Sequence, residues 1–488
     1  MAAFGYSDLI ALDLGKLNTA VGDWQTMVGE LAKLKTEVTD GMVKKSAAAR
    51  WEGVNASVTK EFVGSTAKEF GDLHAQAQSI HSVLADAHGE LTRIQKQARK
   101  LTEEARRGNP ERYPEADPGL LISDGSNGTV KVVSTICDAQ GPSQRTQDMV
   151  QWYADTLTGL VAHAAEVDAA VTRALKTIHG GDPFNAGHAT HTSLDQDQLP
   201  RAMKLAALGG DANDRQQDEL RRLWQSLSPQ ARAELWMGQR DNLLAAGLLS
   251  PTVKKVAADR GSGRFDSEDP GGDEWITREK MHLLITGSEW SGMNDAGKHM
   301  MHYLDRSGDP LELPVDRMLS DDEDFKNHID NQIRRRQDEW REQALAEFHR
   351  NGGKPIAIPV ETVNRDYTFD QEKEGNWYYA VGSTRSNVTG IVTVTPDATG
   401  QPRVGLEYQA NAWDRYNWDK GKGVQIGPVD IPDGEMGRQH TVGHAQEFDM
   451  AGSSSVKHYD LGGATPNTDP LPKPPDPGRD GGRTDPGR

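Results

Sequence analysis

The sequence predicts a multidomain α + (α+β) protein: a long antiparallel helical hairpin first, a helical middle segment next, and a C-terminal α+β domain with an antiparallel β-meander. Three observations predict this class. Apolar residues repeat every three or four positions through two long N-terminal stretches, which is the period of packed helices. Beyond Gly352 and Gly353 the period changes to two, which indicates strands. Residues 464–488 are mostly Pro, Gly, Asp and Arg, so we expect a disordered tail.

Composition limits the classes of function. The 488 residues carry a formal net charge of -18. Such a chain lacks the clustered positive charge that nucleic acids and anionic membranes require, so we expect no nucleic-acid partner. No stretch approaches the ~20 consecutive apolar residues of a membrane span. The single cysteine, Cys137, allows no intramolecular disulfide, and we expect no cofactor.

The helical hairpin is expected at residues 1–110. Its helices are predicted at 8–44 and 54–107, with Arg-Trp-Glu-Gly-Val between them. Gly53 is free to adopt a positive φ, and Trp51 supplies a large apolar side chain at the corner. The apolar positions expected to pair the two helices are Leu14, Leu17, Val21, Trp24, Val28, Leu31 and Val38 in the first, and Leu73, Ala77, Ile80, Leu84, Ala87, Leu91, Ile94, Ala98, Leu101 and Ala105 in the second.

This pair of helices with Trp-Glu-Gly at the turn resembles the WXG-type helical hairpins that actinobacteria and other Gram-positive bacteria export through type VII (ESX-like) secretion. The resemblance implies that Trp51 and Gly53 act in targeting and that the protein is secreted. It also implies that the secretion machinery and a helical partner, or a second copy of the chain, bind the hairpin through its apolar face. In that family a Tyr-Xaa-Xaa-Xaa-Asp/Glu element often follows the second helix. Tyr113 and Asp117 match its letters, although Pro114 prevents ordinary continuation of a helix.

The start of the chain is compatible with such a route. The segment Met1 to Ile10 lacks the basic and apolar regions of a cleaved signal peptide. We therefore expect export, if it occurs, to use a pathway that recognises helical signals.

Two further segments are expected before the C-terminal domain. Residues 111–182 contain a β-hairpin and a third helix that packs on the first two. Residues 183–262 contain a linker and a small helical adaptor. Ser228–Pro229 in the adaptor combines a capping hydroxyl with proline at the first helical position, and Ser250–Pro251 repeats this arrangement. A second linker, rich in Gly, Ser, Asp and Glu, is expected at 261–273.

The C-terminal α+β domain is expected at residues 274–463. Two helical patterns come first, at 274–304 and 320–350. Strands are then predicted by runs of β-branched and aromatic residues. They are placed at 377–381, 390–395 and 404–409, and the last two are joined by a loop rich in turn residues.

Polar, aromatic and histidine residues are densest after the third of these strands. Alternation along a strand places Asp414, Tyr416 and Trp418 on one face. His440 and His444 lie four residues apart on an expected helix at 434–448, so they would share a face. Paired carboxylates near histidines are what general acid–base hydrolysis uses. The predicted catalytic residues are Asp414, Tyr416, Asp419, His440 and His444.

Structural alternatives exist for the carboxylates and the aromatic residues. The carboxylates would satisfy turn amides, and the aromatic rings would pack in the sheet. The two histidines lack an intervening glutamate and an obvious third ligand, so we predict no metal site.

Part of this segment is faintly similar to the active region of colicin M-type bacteriocins, which cleave the lipid-linked peptidoglycan precursor. Asp414-Arg415-Tyr416 fits the start of that pattern. Asn417 replaces the second acid of the pattern. His440 comes late and is followed by Thr441 instead of arginine. These departures fall on the residues that would perform the chemistry.

Taken together, the patterns favour a type VII-type secreted protein whose hairpin serves targeting and partner pairing and whose C-terminal domain is a delivered effector or toxin. The sequence leaves open whether that domain is an enzyme. A toxin would require an immunity protein in its producer. The alternatives are a non-enzymatic secreted or surface-associated scaffold, whose aromatic-rich sheet binds a partner, and a cytoplasmic coiled-coil assembly protein.

Overall fold

The computed structural model shows a mostly helical chain with a mixed sheet near its C-terminus. The structure describes residues 4–50, 54–107, 119–135, 144–179, 191–251, 262–290, 292–418, 423–426 and 429–462. The chain forms two compact units. The first takes in the described residues of 1–109, 117–136 and 153–248, and the second takes in those of 137–152 and 249–488.

The first unit consists of helices with one small β-hairpin. The elements are α1 (Tyr6–Ala11), α2 (Leu14–Glu37), a π-helical segment (Val38–Val43), α3 (Lys44–Ala48), α4 (Val54–Arg107), β1 (Leu120–Asp124), β2 (Val130–Ser134), α5 (Gln144–His179, of which residues 144–152 belong to the second unit), α6 (Asp195–Ala206), α7 (Asp214–Ser226) and α8 (Pro229–Ala245).

The long helix α4 begins and ends where the sequence predicts, but the first predicted helix is divided. Asp13 separates α1 from α2 because its carboxylate accepts a hydrogen bond from the Gly15 amide, at 3.1 Å. An aspartate at this position stabilises a helix start more than it stabilises a helix interior. The prediction of one continuous helix at 8–44 is therefore wrong.

Helices α2 and α4 lie alongside each other and run in opposite directions. Near one end, the side-chain amide of Gln95 donates to the carbonyl of Leu12, at 2.9 Å. Near the other end, the Lys35 side chain lies beside Gly71. Trp51 and Gly53 lie outside the described residues, so the turn between the helices, and with it the complete hairpin, stays a prediction. The same holds for the targeting residues Tyr113 and Asp117.

Burial along these two helices is uneven. The C-terminal part of α4 buries its predicted apolar positions, including Ile94 and Ala98. Toward its N-terminus burial is less regular: Leu73 is 41% exposed, whereas Ala56 and Val63 are buried. Helix α2 has no fully buried side chain. Its predicted apolar positions are only half-buried against α4, which leaves apolar surface in contact with solvent.

Helix α5 runs along α4, again in the opposite direction. The Gln76 side chain donates to the carbonyl of Ile178 at one end. Further along, the Nε2 atom of His163 lies 3.0 Å from Oε1 of Glu90. Glu90 also accepts two hydrogen bonds from Arg93 on its own helix. Burial by itself would raise the pKa of Glu90, but His163 and Arg93 outweigh it and lower the pKa to about 2.

We expect Glu90→Gln to destabilise the first unit by about 2 kcal/mol at pH 7. A carboxyl group whose pKa is lowered by folding stabilises the protein above its unfolded pKa, and this stabilisation is lost as the pH falls toward the folded value. The difference between native and variant protein should therefore shrink between about pH 4 and pH 2. Hydrogen exchange of the α4 and α5 amides measures it. The matched control, Glu30→Gln, removes an exposed carboxylate and should change little. A difference that stays constant down to pH 2 would contradict the assignment.

The small helical segment α6–α8 has its own core, with Trp224 and Trp236 in contact at 6.2 Å between ring centroids. Helix α8 begins as predicted, because the Ser228 hydroxyl accepts from the Ala231 amide and Pro229 takes the first helical position. The residues after Ser250–Pro251 lie outside the described chain.

The second unit packs helices against a seven-stranded sheet. Its elements are α9 (Gly272–Trp290), α10 (Asn294–Leu304), β3 (Leu311–Glu312), α11 (Val315–Asp321), α12 (Glu323–Arg334), α13 (Gln337–Arg350), β4 (Ile356–Glu361), β5 (Arg365–Thr368), α14 (Gly375–Ala380), β6 (Ser383–Pro396), β7 (Pro402–Tyr416), β8 (Gly423–Ile426), β9 (Val429–Pro432), α15 (Asp433–Thr441), β10 (Phe448–Ser453) and β11 (Lys457–Gly462).

Strands β6 and β7 form the central hairpin of the sheet. The strand order is β3-β10-β7-β6-β4, with β11 also paired to β7 and β5 also paired to β6. Only the short pair of β3 with β10 is parallel among the pairs described. Strands β8 and β9 pair separately. The predicted antiparallel β-structure is thus confirmed, within a sheet that is mixed.

Two predicted elements of this unit are wrong. The sequence predicts a strand at 377–381, but residues 377–380 belong to helix α14, which buries Trp377 completely and ends before Gly382 at a φ of 76°. Five aromatic and apolar residues suit either structure, and here tertiary packing decides. The helix predicted at 434–448 stops at Thr441, because Gly443 adopts a φ of 74°. Phe448 then begins strand β10.

Within the described chain, no helix combines the length and the apolar character that would let it cross a membrane.

Candidate functional site

The predicted catalytic residues do not form one constellation. Asp414 and Tyr416 lie at the end of β7, opposite Met450 and Phe448 of β10. His440 lies near the end of α15, and His444 lies in the turn that follows it, so helical spacing does not place them on one face. Asp419 lies outside the described residues.

Tyr416 belongs to the apolar core. It is 4% exposed and stacks on Phe448, with ring centroids 5.0 Å apart. Tyr303 and Trp418 also contact its ring. Burial raises the pKa of its hydroxyl well above the usual range, so this group stays protonated. Asp414, on the same strand face, is half-buried.

His440 is held by hydrogen bonds at both ring nitrogens. Its Nδ1 accepts from the Glu447 amide at 3.1 Å, so the proton lies on Nε2, which donates to the Gly263 carbonyl at 3.2 Å. Both ring nitrogens are therefore engaged within the protein. The geometry therefore gives His440 a structural role, which differs from the predicted catalytic one.

The segment that binds His440 is the predicted second linker. The Asp266 amide donates to the His440 carbonyl, and the amides of Ser267 and Glu268 donate to the Thr441 carbonyl. These bonds satisfy carbonyl groups that are left free at the end of a helix. Residues 262–268 are thus an ordered cap on α15.

A buried ion pair joins this region to the sheet. The Glu447 carboxylate accepts from Nε of Arg415 at 3.2 Å and from the Ser262 amide at 2.7 Å. The Glu447 side chain is fully buried, whereas Arg415 is partly exposed and also lies 3.5 Å from Asp449. The pair anchors α15, β7 and β10 to one another.

His444 differs from His440 because one of its ring nitrogens makes no close hydrogen bond with any described residue. The side-chain amide of Gln439 donates to the Glu435 carbonyl, which turns its oxygen toward Nδ1 of His444, at 3.2 Å. Nδ1 therefore carries the proton and Nε2 presents a lone pair. Among the described residues, Nε2 has no hydrogen-bond partner. The indole ring of Trp275 covers the imidazole, with ring centroids 4.3 Å apart.

The surroundings of His444 favour its neutral form. Burial is the main cause that lowers its pKa, and the positive charges of Arg278 and Arg306 add to it. The backbone and the carboxylate of Glu274 oppose this shift. Nε2 is itself fully buried beneath the indole ring, so in this structure the imidazole is shielded from a ligand.

A groove of about 640 Å³ lies along α10. His302 lines it, but its Nδ1 lies 3.0 Å from the Asp305 carboxylate and its Nε2 lies 2.9 Å from the Asp309 carbonyl. Both nitrogens of this histidine therefore face oxygen atoms of the protein. The other groove residues are Ile285, Asn294, Gly297, Lys298, Met301, Asp305 and Leu311.

No arrangement of three or more His, Cys, Asp or Glu side chains suited to a metal ion occurs in the part of the chain that the structure describes. Comparison with protein-family models, with curated proteins and with solved structures finds no match. Function is therefore inferred from residues and their geometry.

Three residues around His444 escape prediction from the sequence. Trp275 and Arg278 lie on α9, and Arg306 follows α10, so more than 130 residues separate them from His444. No spacing rule connects residues at such distances. The one available signal is the pairing of Trp275 with Arg278 at three-residue helical spacing.

Proposed function

We propose that this chain is a type VII (ESX-like) secreted protein, with N-terminal helices for targeting and for binding a helical partner, and a C-terminal α+β unit as the delivered effector. The observation that carries the proposal is the incomplete burial of the helical pair. Its large exposed apolar side chains are Met27, Leu34, Met42, Val58, Phe62 and Leu73.

A helical partner accounts for this exposed surface. Phe62 is 67% exposed and Val58 is 59% exposed, four residues apart on one side of α4. Large apolar side chains at such spacing are what an amphipathic helix covers when it packs on another helix. An extended apolar surface on an isolated protein commonly marks an interaction site. The partner is therefore proposed to be a helix, from a second protein or from a second copy of the chain.

A non-enzymatic scaffold is the second candidate for the C-terminal unit. It is favoured by the structural use of His440 and by the burial of Tyr416 in the core. The effector proposal then depends on His444, whose Nε2 is unpaired among the described residues. Asp414 remains a proposed participant.

We expect the double variant Trp51→Ala, Gly53→Ala to reduce the amount of protein in the culture medium by about ten-fold or more, a loss of about 1.4 kcal/mol or more in recognition. The reason is that both substitutions alter the proposed targeting turn. Fractionation of a producing culture measures the effect. The total amount of each protein is compared as a reference for expression, and the circular dichroism of the purified proteins is compared as a reference for folding.

The matched control is Trp275→Ala, Gly272→Ala, which changes the same residue types on α9 and should be exported normally. Retention of native protein in cells with a working secretion system would contradict the proposal and favour the cytoplasmic coiled-coil alternative. Light scattering on the purified chain then identifies the partner: twice the 53.4 kDa mass of one chain indicates a second copy.

A further inference from the structure

We propose that the groove along α10 binds a small aliphatic monocarboxylate, a free medium-chain fatty acid, with the carboxylate at Lys298 and the hydrocarbon chain on the apolar side chains of the groove. The groove has a volume of about 640 Å³. Small-molecule sites of proteins commonly occupy roughly 300–1,000 Å³. Export plays no part in this binding, so the site goes beyond the proposed targeting function and does not depend on it.

One side of α10 lines the groove along its whole length. The lining positions recur at steps of three and four residues or their sum, which is the spacing of one helix face. They are Asn294, Gly297, Lys298, Met301, His302 and, directly after the helix, Asp305. At 1.5 Å per residue this face is about 16 Å long. Gly297 adds no side chain, which leaves room in the groove between its larger neighbours.

The apolar part of the lining is aliphatic. Met301 comes from α10, Ile285 from α9 and Leu311 from β3, so three separate elements supply it. Ile285 is buried and Leu311 packs against the core, whereas Met301 is 48% exposed. The unbranched methionine side chain is flexible and adapts to the shape of a ligand. None of these three side chains carries a ring that could stack, so they favour a hydrocarbon chain over a planar ligand.

Lys298 is the uncompensated cation of the groove. Its ammonium group forms no ion pair with any residue that the structure describes. The carboxylate three residues earlier on the helix, Asp295, is engaged by the Arg317 guanidinium and by the side-chain amide of Asn376. A ligand carboxylate would therefore give Lys298 a charged partner that this part of the protein does not supply.

The other end of the groove disfavours a second anionic group. The Asp305 carboxylate accepts from the Ser307 amide at 2.8 Å and lies 3.0 Å from Nδ1 of His302. Burial alone would raise the pKa of Asp305, but these two neighbours lower it, so the carboxylate keeps its charge. Phe448 holds the His302 ring in place, with ring centroids 4.5 Å apart. A ligand with one carboxylate and an uncharged chain fits this distribution of charge better than a dicarboxylate or a phosphate.

Calorimetric titration of the purified full chain with octanoate, octanol, octylammonium and acetate tests the ligand class. We expect octanoate to bind most tightly and octanol to bind about ten-fold more weakly, because octanol lacks the charge-assisted hydrogen bond to Lys298. Octylammonium and acetate should bind more weakly still, since one carries the wrong charge and the other lacks the chain. Absence of octanoate binding, or an affinity for octanol or octylammonium equal to that for octanoate, would overturn the proposal.

Lys298→Met separates the charged contact from the apolar one. The substitution keeps a long side chain and removes the ammonium group, so it should lower the affinity for octanoate by about ten-fold, to that for octanol. The affinity for octanol itself should stay unchanged. The matched control is Lys354→Met, which alters an exposed lysine ahead of β4 and should change neither affinity. An unchanged affinity of Lys298→Met for octanoate would contradict the placement of the carboxylate.

Met301→Glu tests the apolar contact. It places a carboxylate beside the hydrocarbon chain, so it should weaken the binding of octanoate and of octanol by about ten-fold or more. The matched control is Leu283→Glu, which changes an apolar side chain of α9 that is 62% exposed and lies outside the groove. Met301 is itself half exposed, so circular dichroism should show a native fold. Equal losses from Met301→Glu and Leu283→Glu would refute the groove as the site.

NMR of carbon-13-labelled methionine methyl groups locates the ligand directly. The Met301 signal, identified by its absence from the Met301→Leu protein, should shift in a saturable manner as octanoate is added. Met237 on α8, which is 62% exposed, should not shift. Equal shifts of both signals would show unspecific association with exposed apolar side chains and would overturn the site. These measurements do not involve export, so loss of export with retained binding refutes only the targeting proposal, and the reverse result refutes only the site.

Discussion

Trp377→Ala is expected to lower the free energy of unfolding of the C-terminal unit by about 4 kcal/mol. The Trp377 side chain is completely buried, and it contacts Phe369. Its Nε1 donates to Asp321 at 3.1 Å, and the Arg317 guanidinium lies 5.3 Å from its ring centre. Alanine would leave a cavity, and it would also remove the contacts that the indole makes with the Asp321 carboxylate and the Arg317 guanidinium. The loss of packing and the loss of both polar contacts therefore add at one position.

Chemical denaturation followed by hydrogen exchange in β6 and β7 measures this change. The matched variant Trp377→Phe keeps an aromatic ring and loses only the Nε1 donor and part of the volume. It should therefore cost roughly half as much or less. Equal destabilisation by both variants would mean that the hydrogen bond dominates, and a loss below about 1 kcal/mol for alanine would contradict the packing assignment.

Arg415→Met is expected to destabilise the same unit by about 3 kcal/mol. The substitution keeps most of the side-chain volume, but it leaves the buried carboxylate of Glu447 without its cation. The Ser262 amide would remain as a partner of that carboxylate. A buried charge with an incomplete set of partners is more costly than the loss of an exposed ion pair. Thermal unfolding at pH 7 provides the measurement.

A double variant separates the ion pair from simple packing. Adding Glu447→Gln removes the uncompensated charge, so Arg415→Met, Glu447→Gln should be more stable than the sum of the two single changes predicts. Arg403→Met, which removes an exposed arginine at the start of β7, is the control and should change little. Strict additivity of the two single changes would show that Arg415 and Glu447 act independently.

Elements governed by neighbouring residues were predictable. The apolar repeat predicts α4 from Val54 to Arg107, and Ser228–Pro229 predicts the start of α8. The β6–β7 hairpin follows from two runs of strand-forming residues. The turn between them is stabilised by Asp397, which accepts hydrogen bonds from the amides of Thr399 and Gln401. In each case the pattern that decides the local structure, a hydrogen bond or an apolar repeat, involves residues only a few positions apart.

Elements decided by distant contacts were not predictable. The segment 377–381 has a composition that suits a strand, but residues 377–380 form a helix because Trp377 fills the core, where its Nε1 donates to Asp321, 56 residues earlier. His440 and His444 have helical spacing in the sequence, but Gly443 ends the regular structure between them. Local propensity is weaker than the free energy of burying a large side chain, so packing prevails.

The sequence by itself determined the helical character of the N-terminal part, the central β-hairpin and the acidic character of the chain, because periodicity and charge are properties of neighbouring residues. Only the tertiary structure decided the chemical state of the two histidines. Gly263, 177 residues before His440, uses one of its nitrogens, whereas Trp275 covers His444 and leaves Nε2 unpaired among the described residues. Contacts between segments that are distant in the sequence decide which imidazole nitrogen forms a hydrogen bond. The spacing of residues along the chain does not indicate these contacts.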